Sequence, residues 1–174
     1  MNRIMRELLN TAIYLLCVLG AVWLVITFVG QRTEVEGASM ENTLHNGDNL
    51  IVDKLSYRFH DPERFDIIVF PFQFQDNTYY IKRIIGLPGE TVDIVDGKVY
   101  INGSDEPLDE PYIREPMIPE EPMHFEVPEN SYFMMGDNRN YSMDARRWEN
   151  TYVKREKIIA KVLFRYFPKP GILK

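Results

Sequence analysis

"TYYIKRIIGLPGETVDIVDGKVYING", residues 78–103, decides the fold. Its first third is a run of β-branched and aromatic residues closed by Gly86, the composition of a strand that packs on both sides. Its last part, "TVDIVDGKVYING", alternates around Asp96-Gly97, a pair suited to the positive φ angles of a type I′ turn, and so reads as a hairpin. Working outward, "DNLIVDKL" (48–55), "FDIIVF" (65–70), "SYFMMG" (131–136) and "IIAKVLFRYF" (158–167) carry the same signature between Gly, Pro and Asp. No amphipathic helix of more than a few turns follows Gly30. The region after it is therefore predicted to be mostly antiparallel β.

The region before it is different in kind. From Leu8 to Gln31 no residue is charged, and the apolar heart is "AIYLLCVLGAVWLVITFVG". As a helix these 24 residues extend about 36 Å, enough for a hydrocarbon core of about 30 Å. A cleavable signal peptide is the rival reading, but its apolar part would be shorter, and "ITFVGQRTE" holds no convincing small-x-small site. Arg3 and Arg6 precede the run, so the positive-inside rule places the N-terminus in the cytoplasm and the remainder outside. Residues 1–30 carry Arg3, Arg6 and Glu7, a net +1, which leaves −7 of the total −6 to the rest. An acidic outer domain argues against nucleic acid as a partner. Cys17, the only cysteine, lies inside the apolar run, so no disulfide braces the outer domain.

Between Asp105 and Asn130 lie six of the eleven prolines and nine acidic residues, against one basic residue, Arg114. So much proline is incompatible with central strands. An irregular insertion over one side of the sheet is expected, with a short strand at "MHFEV"; a disordered acidic linker is the alternative.

Few residues could carry chemistry. There is no HExxH, no Cys/His metal spacing and no phosphate-binding glycine loop, so neither metal nor cofactor is expected. His45, His60 and His124 sit in unrelated polar contexts, and no carboxylate motif orients His45 toward Ser39. Lys82 is more informative. Alternation along "YYIKRIIG" sets Tyr80, Lys82 and Ile84 on one face and Ile81, Arg83 and Ile85 on the other. A lysine on such a face is partly desolvated, which lowers its pKa toward that of a general base. A snorkelling edge lysine is the bland reading. "GDNRNYSMDAR" (136–146) packs donors and acceptors into a turn after a hydrophobic strand, as a hydrogen-bond network beside a site would.

Together these stretches resemble the bacterial type I signal peptidase family, a serine-lysine dyad family, from about residue 10 to 170. "GASMENTL" (37–44) matches its nucleophile segment, "YIKRIIGLPGE" (80–90) its general-base segment and "GDNRNYSMDAR" the network after it. "RFDIIVF" and "KVLFRYFP" match two structural segments. The resemblance implies a cytoplasmic N-terminus at 1–7 and a transmembrane anchor at 8–31. An extracytoplasmic catalytic β domain follows at 32–174, repressor-protease-like in fold, with its insertion at about 93–129. It implies Ser39 as nucleophile and Lys82 as general base. Met40 follows the nucleophile, Ser142 holds the lysine amine by a hydrogen bond, and Asp144 and Arg146 form a bracing ion pair with Asp137 in the same network. Substrates would be secretory precursors with small residues at −3 and −1, met at the lipid bilayer without an obligate protein partner. Three positions depart from the family pattern. Phe65 stands where many relatives have glycine, Ala145 replaces a frequent serine, and Gly37 replaces a serine that in some relatives donates to the oxyanion.

Only about eight residues separate Gln31 from Ser39, a reach of about 28 Å at most. That keeps the nucleophile near the membrane, with Met40 expected to dip into the interface and room expected for a serine side chain at Gly37. Two other functions compete: a self-cleaving repressor-type protease, which would carry a DNA-binding module instead of a span, and a membrane-anchored β domain that binds polypeptides or wall polymers. The second requires Ser39 and Lys82 to lie apart or Lys82 to be exposed.

Overall fold

The structure is a computed structural model that describes residues 3–28, 30–72 and 78–173, the side chains of 24–31 excepted. It opens with helix α1, Arg3–Phe28. The helix begins before the uncharged run because charge bars a residue from lipid, not from a helix: Arg3 Nε donates to Glu7 Oε1 at 3.1 Å one turn on. Leu8, Leu9, Ile13, Leu15, Leu16 and Leu19 all lie open on its surface. An apolar face bare on all sides has no protein core to enter, and Arg3–Trp23 is long and apolar enough to cross a membrane.

The helix ends at Phe28, within the expected span at 8–31. Strand β1, Gly30–Glu34, takes up Gly30 and Gln31 and pairs them with Asp53 and Val52 of β2, Asn49–Asp53. Ladder pairing outcompetes helix continuation here, so the chain enters the sheet almost at once.

Strand β3 (Ile67–Pro71) and strand β4 (Tyr79–Gly86) follow, then the hairpin of β5 (Thr91–Val95) and β6 (Lys98–Ile101), and β7 (Met123–Glu126). Strand β8 (Ser131–Met135), β9 (Tyr152–Lys154), β10 (Ala160–Phe167) and β11 (Gly171–Ile172) complete the order. Asp96 and Gly97 have φ of 49° and 73°, the turn their sequence requires. The main sheet runs β1-β2-β10-β3-β4-β8-β9, with β11 beside β10, and β6-β5-β7 form a smaller one. All pairings are antiparallel. One apolar cluster joins the two sheets through Ile84, Ile85, Phe133, Val92 and Val127. A second lies under the N-terminal strands, around Leu44, Leu50, Val52 and Val69.

Residues 105–122 form neither strand nor helix. Leu108, Tyr112 and Met117 nevertheless pack on the main core. The acidic side chains meet the arginines of the 136–147 loop: Arg139 Nη1 donates to Glu110 Oε2 at 2.9 Å and Arg147 Nη2 to Glu120 Oε1 at 2.5 Å. The segment is an acidic strap drawn across a basic loop.

Candidate active site

Ser39 sits in a turn between β1 and β2, closed by Glu41 N–H to Ala38 O (3.2 Å) and Leu44 N–H to Met40 O (2.8 Å). Met40 does not face the membrane interface as expected. It is 2% exposed and belongs to the cluster of Leu44, Leu50 and Val69. An unbranched apolar side chain there anchors the turn to the sheet and holds its neighbour still.

Lys82 reaches the turn from β4. Its Nζ lies 2.5 Å from Ser39 Oγ and 3.2 Å from Ile81 O. The Tyr80 ring lies 4.9 Å from the same nitrogen. The lysine is 4% exposed, and burial pushes its pKa down to about 8, with the charges of Asp144 and Asp137 opposing part of that shift. An amine in that range has a substantial neutral fraction near pH 8 and accepts a hydroxyl proton.

Arg83, the next residue, points the other way and is wholly buried. Its guanidinium forks onto Asp137 (Nε–Oδ1 2.9 Å, Nη2–Oδ2 2.7 Å), donates to Phe65 O at 2.9 Å and lies 3.9 Å from the Tyr112 ring. Thr43 Oγ1 donates to Asp137 Oδ2 at 2.5 Å, tying the nucleophile turn to the same carboxylate. Phe65 adopts φ of 72°, a left-handed conformation costly for a side chain of this size and natural for glycine. Its carbonyl thereby meets Arg83, while its ring packs edge-on against Tyr112 at 5.7 Å.

Asp144 and Arg146 form a forked pair (Nε–Oδ1 2.8 Å, Nη2–Oδ2 2.9 Å), and Asp144 Oδ2 also accepts the Gly136 N–H at 3.0 Å. Ser142, expected to hold the lysine amine, does not. Its Oγ is buried without a hydrogen-bond partner among the described residues, close against Gly136. Gly37 has open space where a Cβ would stand, as expected, but its φ is 93° and its N–H is committed to Asn46 Oδ1 at 2.9 Å. Space is available and backbone freedom is not. Ala145 is buried in the main core. His45 donates its backbone N–H to Asp48 Oδ2, and Ser39 Oγ accepts from the lysine instead.

A cleft of about 560 Å³ opens over the pair, walled by Val35, Ala38, Val69, Tyr80, Ile81 and Met143. Strand β8 pairs with β4 only from Arg83 onward. Phe72 N–H donates to Thr78 O on the β3 side, so by alternation the backbone groups of Tyr79 and Ile81 face the open side.

Arg83, Thr43, Asn138, Glu110 and Arg139 were not among the residues singled out from sequence. Arg83 had a signal, since an arginine in a strand apolar on both faces must find a buried acid. Glu110 had none, being one acid among nine.

The family model described as signal peptidase, peptidase S26, matches residues 7–167. The chain belongs to this family. Signal peptidase I of Leptolyngbya laminosa is 44% identical over 153 residues, covering 82% of this chain and 71% of its own length. That of Bacillus caldolyticus is 39% identical over 154 residues, 81% of each. A crystal structure of a signal peptidase I from Enterococcus faecalis is 34% identical, with a TM-score of 0.49, covering 59% of this chain and 97% of that one. This signal peptidase I is a serine endopeptidase anchored by its N-terminal helix, and it removes signal peptides from secretory precursor proteins.

Proposed function

We propose that Ser39 is the nucleophile of this signal peptidase and Lys82 its general base. The observation that carries this reading is the 2.5 Å approach of Nζ to Oγ at a buried lysine. A binding domain with a decorative dyad would have no use for that contact. Neutral Lys82 takes the Ser39 hydroxyl proton as Oγ attacks the scissile carbonyl, and the Ser39 backbone N–H stabilises the oxyanion. Collapse breaks the C–N bond, and Lys82 gives its proton to the leaving amine of the mature protein. The same amine then deprotonates a water, whose attack frees the signal peptide as a carboxylate and restores Ser39. Asp137, with Arg83 and Thr43, and Asp144, with Arg146, brace the pair from behind.

The substrate lies extended along the open edge of β4, bonding the backbone of Tyr79 and Ile81. In an extended chain alternate side chains share one face, so positions −1 and −3 both enter the apolar wall of Val35, Ile81 and Met143, which favours small residues there. The N-terminus at 1–7 is cytoplasmic and the domain from 32 to 174 extracytoplasmic, a reading that rests on Arg3 and Arg6. Ser39→Ala and Lys82→Met, each purified in detergent and folded, should leave no cleavage of a secretory precursor. Retention of more than about a hundredth of the parent rate by either would overturn the dyad.

A further inference from the structure

Asn138 is 1% exposed and touches the nucleophile turn twice. Its side-chain Nδ2 donates to Ala38 O at 3.0 Å, and its backbone N–H donates to Ser39 O at 3.1 Å. The orientation of the amide is set by chemistry, since a carbonyl oxygen only accepts. Its other end, Oδ1, is buried without a partner among the described residues. A leucine would fill the same space without stranding a polar atom, so the bond made by Nδ2 must serve more than packing.

Its geometry suggests what. Ala38 C=O and Ser39 N–H belong to one planar trans peptide, in which they point in opposite directions. Holding the oxygen toward Asn138 turns the N–H away from it, and that N–H donates to no described residue. Apart from the Asn138 side chain, the restraints on this plane among the described residues are the Gly37 N–H on Asn46 Oδ1, the Glu41 N–H on Ala38 O and the Asn138 backbone N–H on Ser39 O, and only the Glu41 bond acts on the plane itself.

We propose that Asn138 is a positioning residue of the oxyanion hole, fixing the Ala38–Ser39 peptide plane so that the Ser39 N–H faces the substrate carbonyl. The proposal rests on Ser39 being the nucleophile. It assigns Asn138 no contact with substrate and no part in proton transfer.

The test uses detergent-solubilised full-length enzyme, a peptide spanning a signal-peptide cleavage site, and a peptide aldehyde of its acyl half. The aldehyde forms a hemiacetal whose oxygen occupies the hole. Asn138→Ala and Asn138→Leu should each lose about 10- to 100-fold in kcat, less than removal of a whole donor because the Glu41 N–H still restrains Ala38 O. KM should stay within about threefold, and aldehyde affinity should fall in step with kcat/KM. The acid limb of the pH–rate profile should not move, because Lys82 is untouched. Asn138→Leu should melt no lower than the parent, which a merely structural asparagine would not allow. A folded variant with kcat within about threefold of the parent overturns the proposal, as does a loss confined to KM or a displaced acid limb. An active Ser39→Ala would instead sink the underlying dyad. An inactive Ser39→Ala beside an unimpaired Asn138→Ala sinks this inference alone.

Discussion

Replacing Lys82 by methionine should abolish cleavage and, at neutral pH, make the protein more stable. The side chain is buried, and its pKa is pushed down to about 8 from an ordinary 10.5. Between those two values the unfolded chain binds a proton that the folded chain has lost, so the parent gains stability as pH rises through that window. Below pH 8 both states are protonated and the folded state bears the full cost of a buried ammonium. At about 1.4 kcal/mol per pKa unit, that cost is about 3 kcal/mol at pH 7 and about 2 at pH 9, and it fades as pH rises toward the ordinary lysine value. Methionine has similar length and no charge, but it forfeits two hydrogen bonds, to Ser39 and Ile81, worth about 2 kcal/mol together. The expected net gain is about 1 kcal/mol at pH 7 and about zero at pH 9. Urea unfolding of parent and variant at several pH values between 7 and 9.5 reads it directly. A variant less stable than the parent at pH 7, or a difference that does not shrink with pH, would refute the reasoning. In the same window the parent's kcat/KM should rise about tenfold per pH unit below 8 and level off above it, as the neutral amine accumulates.

Gly136→Ala would drive a Cβ into both Ser39 O and Ser142 Oγ, so it should cost at least about tenfold in kcat and about 1–3 kcal/mol in stability, read by steady-state kinetics beside calorimetry. Space at Gly37 is open, but at φ of 93° any Cβ is strained, so Gly37→Ser and Gly37→Ala should both lower stability by about 1 kcal/mol in urea unfolding, and a serine variant as stable as the parent would refute this. Glu110→Gln leaves Arg139 charged and buried without its counter-ion, so denaturant unfolding should register a loss of about 3 kcal/mol; less than about 1 would mean that water reaches Arg139.

Much of the fold is local and therefore legible. The Asp96-Gly97 turn, the alternation of β4 and β5 and the uncharged run of α1 each follow from neighbours in the chain. Where pairing partners are distant, sequence reading falters. Nothing near Gln31 says that Val52 will pair with it and end the helix early. Met40 follows a polar serine in a loop, and only the approach of β2 and β3 buries it. Lys82 was legible because its strand is apolar and its motif specific. Its neighbour Arg83 was read as a face marker, because the acid it pairs with lies 54 residues away. Ser142 was assigned a bond that depends on a side-chain rotamer, which no motif specifies.

The strap has a consequence for how this enzyme can change. Strands β5 to β7 and the strap interrupt a chain whose flanking strands, β4 and β8, already pair, so the main sheet could close without them. Its arginines could not. Glu110, Tyr112 and Arg114, on and beside the turn at residues 111–112, meet Arg139, Arg83 and Glu41 in turn. A lineage that shortened the insertion would inherit a buried cation with no counter-charge and an arginine stripped of its cover. Glu110 and Arg139 should therefore be gained and lost together among descendants of this chain, a linked inheritance that lets loop length and site chemistry evolve only as one trait.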